Sequence, residues 1–423
     1  MQSARALRRA PTDTWKPLRV PDAPMRRSTA AVQAAILVYD LRASGVVRNA
    51  LRIAAAAAAS GLAAELWVVR RTGAFAAEAG GVPVRVIAEG AARLSRVADS
   101  ALTLPALAAA IRRVRPAVLL SSGNHMHAFA CAAHRLSGVS GTRLVGRASN
   151  ALAAATPPKR AGLAAGPIRR SAVALERAQF GMMDGVIAVS RELADDLNRR
   201  AGVSGARLAV IPNGVDVDAI GRDAKAPVDH PWFADGTPPV VIAVGRLSPQ
   251  KDFGTLIRAF AAARRARPLR LVILGDGPAS ERARLTALAE TLGVGTDLWL
   301  GGYQANPHAF VARARLSALS SRWEGASNVL IEAFACGTPV VATACPTGVR
   351  EVLTEACGTL VPVGDDAAMA AALLARLDAP RDAAACRARA ADFSLRAMTD
   401  GYARYLHAMV RETARETVRE TVR

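Results

Sequence analysis

The segment from Ser321 to Val341 constrains the fold more than any other part of the sequence, because it combines a loop, a helix and a strand in one short unit. An apolar run at 314–319 precedes it and predicts a strand. The small residues at 325–327 predict a loop, residues 328–336 predict a helix, and Pro339 begins the next strand. A loop that feeds a helix in such an α/β unit presents free backbone N–H groups and the positive end of the helix dipole. The segment therefore predicts a phosphate-binding site.

Two carboxylates lie around this predicted phosphate site. Glu324 is in the loop and Glu332 is in the helix. A carboxylate does not bind phosphate, but it accepts hydrogen bonds from the hydroxyl groups of ribose and of sugars. The pair therefore predicts a ligand that joins phosphate to hydroxyl-rich rings.

Strands and helices alternate along the whole chain, which predicts an α/β fold with two domains. A first strand–helix–strand unit occupies 34–69, and the alternation restarts at Val240 after a polar, proline-containing linker. At 423 residues the chain is long enough for two such domains. We predict five segments: a disordered basic N-terminus at 1–28, a first domain at 29–222, a second domain at 223–393, a final helix at 394–410 and a charged, solvated helical tail at 411–423.

Positive charge is concentrated in the first half of the sequence. The formal net charge is +20 for the whole chain, with +17 in residues 1–222 and +3 in residues 223–423. Such a basic surface favours an anionic partner, namely nucleic acid, an acidic membrane face or a phosphorylated substrate. The alternative is that codon bias enriches the chain in arginine and that these side chains are only solvated. That bias alone would raise the positive charge of both halves.

Cysteine spacing and hydropathy argue against other classes of protein. The five cysteines form no C-x-x-C pair and no His/Cys ligand spacing, so neither structural zinc nor disulfides are predicted, and a reduced, cytoplasmic compartment is indicated. The sequence has no uncharged apolar run of about 18 residues, so no membrane-spanning helix is predicted.

Loops after other predicted strands contain groups suited to phosphate. Arg246 and Lys251 lie five residues apart in the loop after a strand at 240–244, where both can converge on one diphosphate. A glycine-rich turn at 275–278 ends the next strand. In the first domain, Gly45 lies at a strand-to-helix turn, where it either brings backbone N–H groups close to a phosphate or simply forms the turn.

Polar side chains end two strands of the first domain. Asn124 and His125 follow a strand at 117–120, and Arg147 and Asn150 end the next strand in the same way. Open α/β sheets bind ligands at the carboxyl ends of their strands, so these four residues are candidates for ligand contact. We interpret His125 either as a catalytic or ligand-orienting group or as part of a polar loop that caps a helix.

Five motifs together resemble those of the retaining glycosyltransferases of family 4, which have the GT-B fold. They read IPNGVD at 211–216, GRLSPQKDF at 245–253, LVILGDGP at 271–278, SRWEGASNVLIEAFACGTPVV at 321–341 and GVREVL at 348–353. The resemblance implies two Rossmann-like domains that face each other across a cleft, with the C-terminal helix packed back on the first domain. It also implies that the first domain binds the acceptor and the second binds the donor.

The resemblance implies roles for single residues of the second domain. Glu324 and Glu332 match the E-x7-E motif of the family, so Glu324 is expected beside the donor sugar as a catalytic residue and Glu332 at the ribose hydroxyls. Arg246 and Lys251 are expected to bind the donor diphosphate. The phosphates are also expected at the backbone of the helix start, which is formed by Ser327, Asn328, Val329 and Leu330.

The match is looser in the first domain. The family's G-G-x-E loop appears as SGVV, so only its glycine, Gly45, fits, and Gly45 is a further expected diphosphate contact. His125 or Asn124 matches the polar residue that faces the acceptor, and His125 is a second candidate catalytic residue. Arg147 and Asn150 are possible acceptor-side residues.

The resemblance implies transfer of a sugar from a nucleoside-diphosphate sugar to a glycan or lipid-linked acceptor, with retention of configuration. Cell-surface polysaccharide, lipopolysaccharide or glycolipid synthesis is the expected process. No cofactor or metal is expected, because cationic side chains and a helix dipole stabilise the departing diphosphate. Asp216 and Asp218 spell a D-x-D metal motif, but they lie in the predicted interdomain turn. The basic first domain implies a cytoplasmic protein in peripheral contact with the anionic inner face of the cytoplasmic membrane.

The residues leave two alternatives open. A GT-B sugar-nucleotide epimerase would use the same donor residues without an acceptor. A nucleic-acid-binding protein would explain the basic half but not the two glutamates, and it would need aromatic residues for stacking, which make up only 4% of the chain. No nucleic acid partner is therefore expected.

Overall fold

A computed structural model of the protein describes residues 31–42, 44–73, 75, 81–89, 96–152 and 165–421. The predicted basic N-terminus at 1–28 lies outside these residues. The described residues form two α/β domains, each built on one parallel sheet. The predicted fold class is therefore confirmed.

The first sheet, within the described residues, has the strand order β3-β2-β1-β4-β5-β6-β7 with parallel pairs throughout. Every residue of β1 and β6 is buried, which explains why these strands are continuous apolar runs. The strands are β1 (Ala34–Val38), β2 (Ala64–Val68), β3 (Val84–Val86), β4 (Val118–Ser122), β5 (Arg143–Ala148), β6 (Gly185–Ala188) and β7 (Leu208–Val210). The helices are α1 (Gly45–Ala59), α2 (Arg96–Val114), α3 (His127–Ser137), α4 (Ala165–Gly181) and α5 (Arg191–Ala201).

The second sheet has the order β10-β9-β8-β11-β12-β13 and is also parallel. Both sheets therefore have the Rossmann order, with a topological switch point between β1 and β4 in the first and between β8 and β11 in the second. The strands are β8 (Val240–Val244), β9 (Arg270–Leu274), β10 (Leu298–Gly302), β11 (Leu316–Leu319), β12 (Val340–Thr343) and β13 (Gly358–Val361). The helices are α6 (Val217–Asp223), α7 (Phe253–Ala266), α8 (Ala279–Thr291), α9 (Pro307–Arg313), α10 (Asn328–Ala335), α11 (Val349–Val352), α12 (Asp366–Asp378) and α13 (Ala383–Ala391).

The last helix, α14 (Leu395–Thr421), returns to the first domain and packs against α1 and β4. Its residue Tyr402 is fully buried in the core of that domain. The expected packing of the C-terminal helix is therefore confirmed. The prediction of a solvated tail from residue 411 is wrong for its first residues, because Thr413 is buried and its hydroxyl donates to Ala117 O at 3.3 Å.

The two crossings between the domains lie side by side. Val215 N donates to Phe393 O at 3.0 Å, and Leu395 N donates to Val215 O at 2.7 Å. Gly214 permits this approach, because a Cβ there would lie 2.5 Å from a carbonyl oxygen of the returning segment. Helix α6 packs on α9 and α10 of the second domain. The first crossing therefore lies near Val215, whereas the predicted boundary follows residue 222.

Candidate active site

Lys251 and Glu324 form an ion pair where β8 and β11 end, at the switch point of the second sheet. Lys251 Nζ lies 2.7 Å from Glu324 Oε1, and Ser321 Oγ donates to the same oxygen at 2.5 Å. Glu324 is only 6% exposed, and burying a carboxylate without such partners would be unfavourable. The structure thus brings two predicted donor residues together and adds Ser321, which was not among the predicted site residues.

The loop from Gly245 to Asp252 determines where the Lys251 side chain lies. A Cβ at Gly245 would lie 3.0 Å from Lys251 Cε, so the lysine stem passes over this glycine. Asp252 has a left-handed backbone with a φ of 45°, and its side chain caps α7 by accepting from Thr255 N. Arg322 Nε also donates to Asp252, at 2.8 Å. A left-handed conformation is strained for a residue other than glycine, and here it directly follows Lys251.

The loop after β12 contacts the backbone of Glu324. Thr347 is buried, has a φ of 72° and donates from its hydroxyl to Glu324 O. Glu324 N donates to Pro346 O at 3.3 Å. A Cβ at Gly325 would lie 2.0 Å from Ser149 O of the first domain, so only glycine fits there. Glu324 therefore lies next to a point where the two domains touch.

The start of helix α10 has a buried hydroxyl group without a partner. Ser327 is the N-cap residue, and its Oγ atom has no hydrogen-bond partner among the described residues. Asn328 N and Leu330 N already donate within the turn, to Ala326 O at 2.8 Å and to Ser327 O at 2.9 Å, and Val329 lies between them. A buried, unsatisfied hydroxyl is unfavourable by itself. The Ser327 hydroxyl and the helix dipole are therefore the features of this helix start that best suit a phosphate.

Glu332 lies one turn after Asn328 on α10 and is half-buried. An arginine of the first domain, Arg52 on α1, lies within electrostatic reach of it. Burial and then the neighbouring Arg48 lower the pKa of Arg52, whereas the carboxylates of Asp216 and Glu332 raise it. The first domain therefore places a guanidinium near the predicted ribose site. No sequence motif predicts Arg52, because its proximity to Glu332 depends on how the domains are arranged.

Arg246, the other predicted diphosphate ligand, is exposed in the loop after β8. In the described part of the chain it forms no hydrogen bond and no ion pair. The structure therefore brings Lys251, but not Arg246, into contact with Glu324.

Asn124 and Asn150 lie together at the carboxyl edge of the first sheet. Asn124 Nδ2 donates to Asn150 O at 3.4 Å, and Asn124 Oδ1 accepts from Ser149 N at 3.0 Å. His125 is exposed in a short 3-10 turn between β4 and α3. Because Ser149 also touches the loop that contains Glu324, this edge of the first domain faces the candidate donor site.

Gly45 is the first residue of α1. Ser44 before it caps the helix, since Val47 N donates to Ser44 Oγ at 3.3 Å. A Cβ at Gly45 would meet no atom of the described residues within 4 Å. Packing therefore does not require a glycine here, and the open space leaves room for a ligand.

Arg147 does not lie with the other predicted acceptor-side residues. It is 1% exposed, its Nε donates to Tyr402 OH at 2.8 Å, and its Nη2 donates to Asn213 Oδ1 at 2.5 Å. A buried guanidinium needs such acceptors. Arg147 joins β5 to α14 and to the interdomain segment, so we do not retain it as an acceptor-side residue.

His127, two residues after His125, is fully buried in the first domain. Its Nδ1 lies 2.9 Å from Ser121 Oγ, and its ring packs edge-on against Phe180 with the centroids 5.5 Å apart. Burial lowers the pKa of His127 to about 3, so the ring is neutral at neutral pH. The structure therefore shows His127 as a packed core residue.

Two glutamates join the domains reciprocally. Glu351 of α11 accepts from Arg191 N at 3.0 Å and from Glu192 N at 2.6 Å, at the start of α5. Glu192 in turn accepts from Gly348 N at 3.0 Å, at the start of α11. Each carboxylate thus satisfies N–H groups at a helix start of the opposite domain. The GVREVL motif contains Glu351, but the contact becomes visible only when the domains are assembled.

The described residues include no group of three or more His, Cys, Asp or Glu side chains that could bind a metal. Asp216 of the D-x-D sequence caps α6, because Ala219 N donates to Asp216 Oδ1 at 2.9 Å, and Asp218 is exposed. Over the same residues, no helix is both long enough and apolar enough to cross a membrane.

Two family models match the chain. Residues 43–219 match the model described as Glycosyltransferase Family 4, and residues 238–379 match the model described as Glycosyl transferases group 1. The second range contains Lys251, Glu324 and Glu332. Together with the fold, these matches place the chain among the GT-B glycosyltransferases of family 4.

Two similar proteins are glycosyltransferases by name. The chain is 33% identical over 187 residues to the N-acetylgalactosamine-N,N'-diacetylbacillosaminyl-diphospho-undecaprenol 4-alpha-N-acetylgalactosaminyltransferase of Campylobacter jejuni, covering 44% of this chain and 48% of that protein. It is 34% identical over 166 residues to the lipopolysaccharide core biosynthesis glycosyltransferase LpsE of Rhizobium meliloti, covering 39% and 46%. The chain thus spans about half the length of these curated relatives.

A solved structure confirms the fold. Anabaena Alr3699/HepE, determined in complex with UDP and glucose, superimposes with a TM-score of 0.71 over 89% of this chain and 100% of that chain. At 20% sequence identity, this likeness concerns the fold alone.

Proposed function

We propose that the protein transfers a sugar from a nucleoside-diphosphate sugar to an acceptor, with retention of configuration. The main support is one arrangement in the second domain, in which the Lys251–Glu324 ion pair and the unpartnered Ser327 hydroxyl lie in adjoining loops, with Glu332 on the helix that follows. A diphosphate needs a cation and hydrogen-bond donors, and a ribose needs a carboxylate acceptor. The arrangement supplies all three.

Each residue has a separate role in the proposed reaction. As the bond between the sugar and the diphosphate breaks, negative charge grows on the diphosphate and positive charge grows at the anomeric carbon. Lys251, Arg246 and the α10 dipole stabilise the negative charge, and the Glu324 side chain stabilises the positive charge. Glu332 binds the ribose hydroxyls. The proposed reaction requires neither a metal nor a cofactor.

We propose a glycan or lipid-linked acceptor bound by the first domain. Asn124, His125 and Asn150 line the edge of that domain that faces Glu324. The first half of the sequence has a net charge of +17, which favours a phosphorylated acceptor and peripheral contact with an anionic cytoplasmic membrane face. The names of the two relatives, a diphospho-undecaprenol-dependent enzyme and a lipopolysaccharide core enzyme, support the same acceptor class.

A panel of UDP-, GDP- and ADP-sugars, incubated with the full chain and a lipid-linked acceptor extract, tests this function. Product formation is measured for the wild type and for Lys251→Ala. We expect turnover of one donor class by the wild type and a loss of about 100-fold or more in kcat/KM for Lys251→Ala, because the developing charge on the diphosphate loses its cation.

The matched control is Lys225→Ala, which removes an exposed lysine just after α6 and should leave turnover unchanged. Absence of turnover with every donor, or equal activity of Lys251→Ala and the wild type, would refute the function. Isomerisation of the donor sugar without any acceptor would instead identify an epimerase.

A further inference from the structure

A hydrogen-bonded chain of side chains runs from the C-terminal helix to the first residue of α10. Tyr402 OH accepts from Arg147 Nε at 2.8 Å, Arg147 Nη2 donates to Asn213 Oδ1 at 2.5 Å, and Asn213 Nδ2 donates to Asn328 Oδ1 at 3.0 Å. Tyr402, Arg147 and Asn213 are all buried. The chain therefore joins α14, the first sheet, the interdomain segment and the candidate phosphate site.

The chemistry of arginine fixes the direction of every bond in this chain. A guanidinium has only donors, so Asn213 must turn its oxygen towards Arg147. The amide of Asn213 then donates from its NH₂ group to Asn328, so Asn328 must accept this bond with its side-chain oxygen. The NH₂ group of Asn328 is therefore left to donate to a further acceptor. In this way a buried positive charge orients two successive amides, so that the last donor lies at the start of α10.

An anionic ligand at the start of α10 would complete this chain. Asn328 directly follows Ser327, whose buried hydroxyl has no partner among the described residues. Both groups can donate to phosphate oxygens, and bonds in a chain that begins at a charged donor strengthen one another in a buried environment.

We propose that Asn213 and Arg147 are positioning residues for diphosphate binding, and that they act by fixing the orientation of the Asn328 amide. This inference rests on the proposed function, because it assigns a nucleoside diphosphate to the α10 site. It also links donor binding to the C-terminal helix, since Tyr402 accepts from the same guanidinium. Asn213 itself does not touch the ligand.

The substitution Asn213→Asp separates orientation from packing. An aspartate has the same shape and still accepts from Arg147, but it cannot donate to Asn328. The Asn328 amide can then flip and donate its NH₂ group to the new carboxylate, which turns its oxygen towards the phosphate. We therefore expect the dissociation constant for the tightest-binding nucleoside diphosphate among UDP, GDP and ADP to rise about tenfold. Isothermal titration of the full chain measures this change. The affinity for the matching nucleoside, which has no phosphate, should stay within about twofold if only phosphate binding depends on the chain.

Three further variants complete the test. Asn328→Asp, which places a carboxylate where the phosphate donor should be, should weaken binding more than Asn213→Asp. Asn213→Ala and Asn328→Ala should be non-additive when combined, because each removes the same bond. Asn198→Asp is the matched control, since Asn198 on α5 donates within the first domain, to Val203 O at 2.8 Å. Melting temperatures report whether each variant is folded.

The outcomes distinguish the inference from the function on which it rests. If the wild type binds no nucleoside diphosphate, both are refuted. If the wild type binds one and a folded Asn213→Asp binds it equally well, only the positioning role is refuted. If Asn213→Asp loses affinity for nucleoside and nucleoside diphosphate alike, the residue acts through general packing and the inference is also wrong.

Discussion

The two domains share one sheet order, but the residues at their strand ends have different partners. In the second domain, Lys251 and Ser321 come from separate loops and meet at one carboxylate oxygen of Glu324. In the first domain, Asn124 binds the backbone of a neighbouring loop, and Arg147 binds buried side chains. Charged groups therefore converge on one point in the second domain, whereas the facing edge of the first domain presents the amides of Asn124 and Asn150 and the imidazole of His125.

This difference follows from the chemistry that each half is proposed to perform. A diphosphate and a departing sugar develop localised charge, which only charged side chains and aligned dipoles can stabilise. An acceptor hydroxyl remains nearly neutral until it reacts, so amide and imidazole groups are enough to orient it. The contrast predicts that substitutions in the second domain reduce turnover far more than substitutions in the first.

The largest effect is expected for Glu324→Gln. The amide keeps the shape of the side chain but removes the negative charge beside the anomeric carbon, so kcat should fall about 1,000-fold. Affinity for the nucleoside diphosphate should change less than about threefold, which would show that the site is intact. His125→Ala in the first domain should cost only about tenfold, mainly in the KM for the acceptor. Equal losses in kcat for the two variants would remove the contrast between the domains.

The second prediction concerns the stability of the fold and His127, which lies near the end of a strand but is packed in the core and does not face the ligand. Its folded-state pKa of about 3 lies below its unfolded value near 6.5. Because the unfolded chain takes up the proton first, the stabilisation is complete above pH 6.5 and is lost as the pH falls towards 3. Between pH 7.5 and pH 5 the free energy of unfolding should decrease by about 2 kcal/mol through this residue.

Urea unfolding at both pH values measures this contribution in the wild type and in His127→Gln. The variant should lack this part of the pH dependence. Its free energy of unfolding should be lower than that of the wild type at pH 7.5, but it should decrease less than that of the wild type between pH 7.5 and pH 5. An identical pH dependence in both proteins would contradict the assignment of His127 to the core.

The smallest of these effects is expected for Glu332→Ala. If Glu332 binds the ribose hydroxyls, the wild type should prefer a ribonucleoside diphosphate to its 2'-deoxy form, and the variant should lose about tenfold of that preference. Competition binding with the two nucleotides measures it. Glu290→Ala, at an exposed glutamate on α8, is the control and should keep the preference. If Glu332→Ala keeps the wild-type preference for the ribonucleoside diphosphate over its 2'-deoxy form, Glu332 does not bind the ribose.

Local sequence signals were sufficient to predict much of the fold. Serine before a helical segment is a typical helix cap, and the Ser190 hydroxyl accepts from Leu193 N at 3.1 Å. The predicted helix at 328–336 is followed by a glycine, a typical helix end, and Gly337 has the left-handed φ of 71° that favours glycine. Helix α4, in contrast, was not predicted, because its exposed Leu175 and mixed pattern give no clear apolar face.

The candidate site was predictable where its residues lie close together in one motif. Glu324, Ser327 and Glu332 occupy one short segment, so their relation follows from loop and helix geometry alone. Partners from different domains could not be found in this way. The bond between Asn213 and Asn328, and the reciprocal contacts of Glu351, depend on how the two sheets face each other, and no local pattern encodes that arrangement.

A crystal structure of the full chain with its tightest-binding nucleoside diphosphate tests the central claim most directly. We predict the diphosphate at the start of α10, with oxygens within hydrogen-bond distance of Ser327 Oγ and Lys251 Nζ and the ribose hydroxyls at Glu332. A diphosphate bound elsewhere, with the Ser327 hydroxyl still unpartnered and Lys251 still paired only with Glu324, would contradict the assignment of the donor site to the second domain.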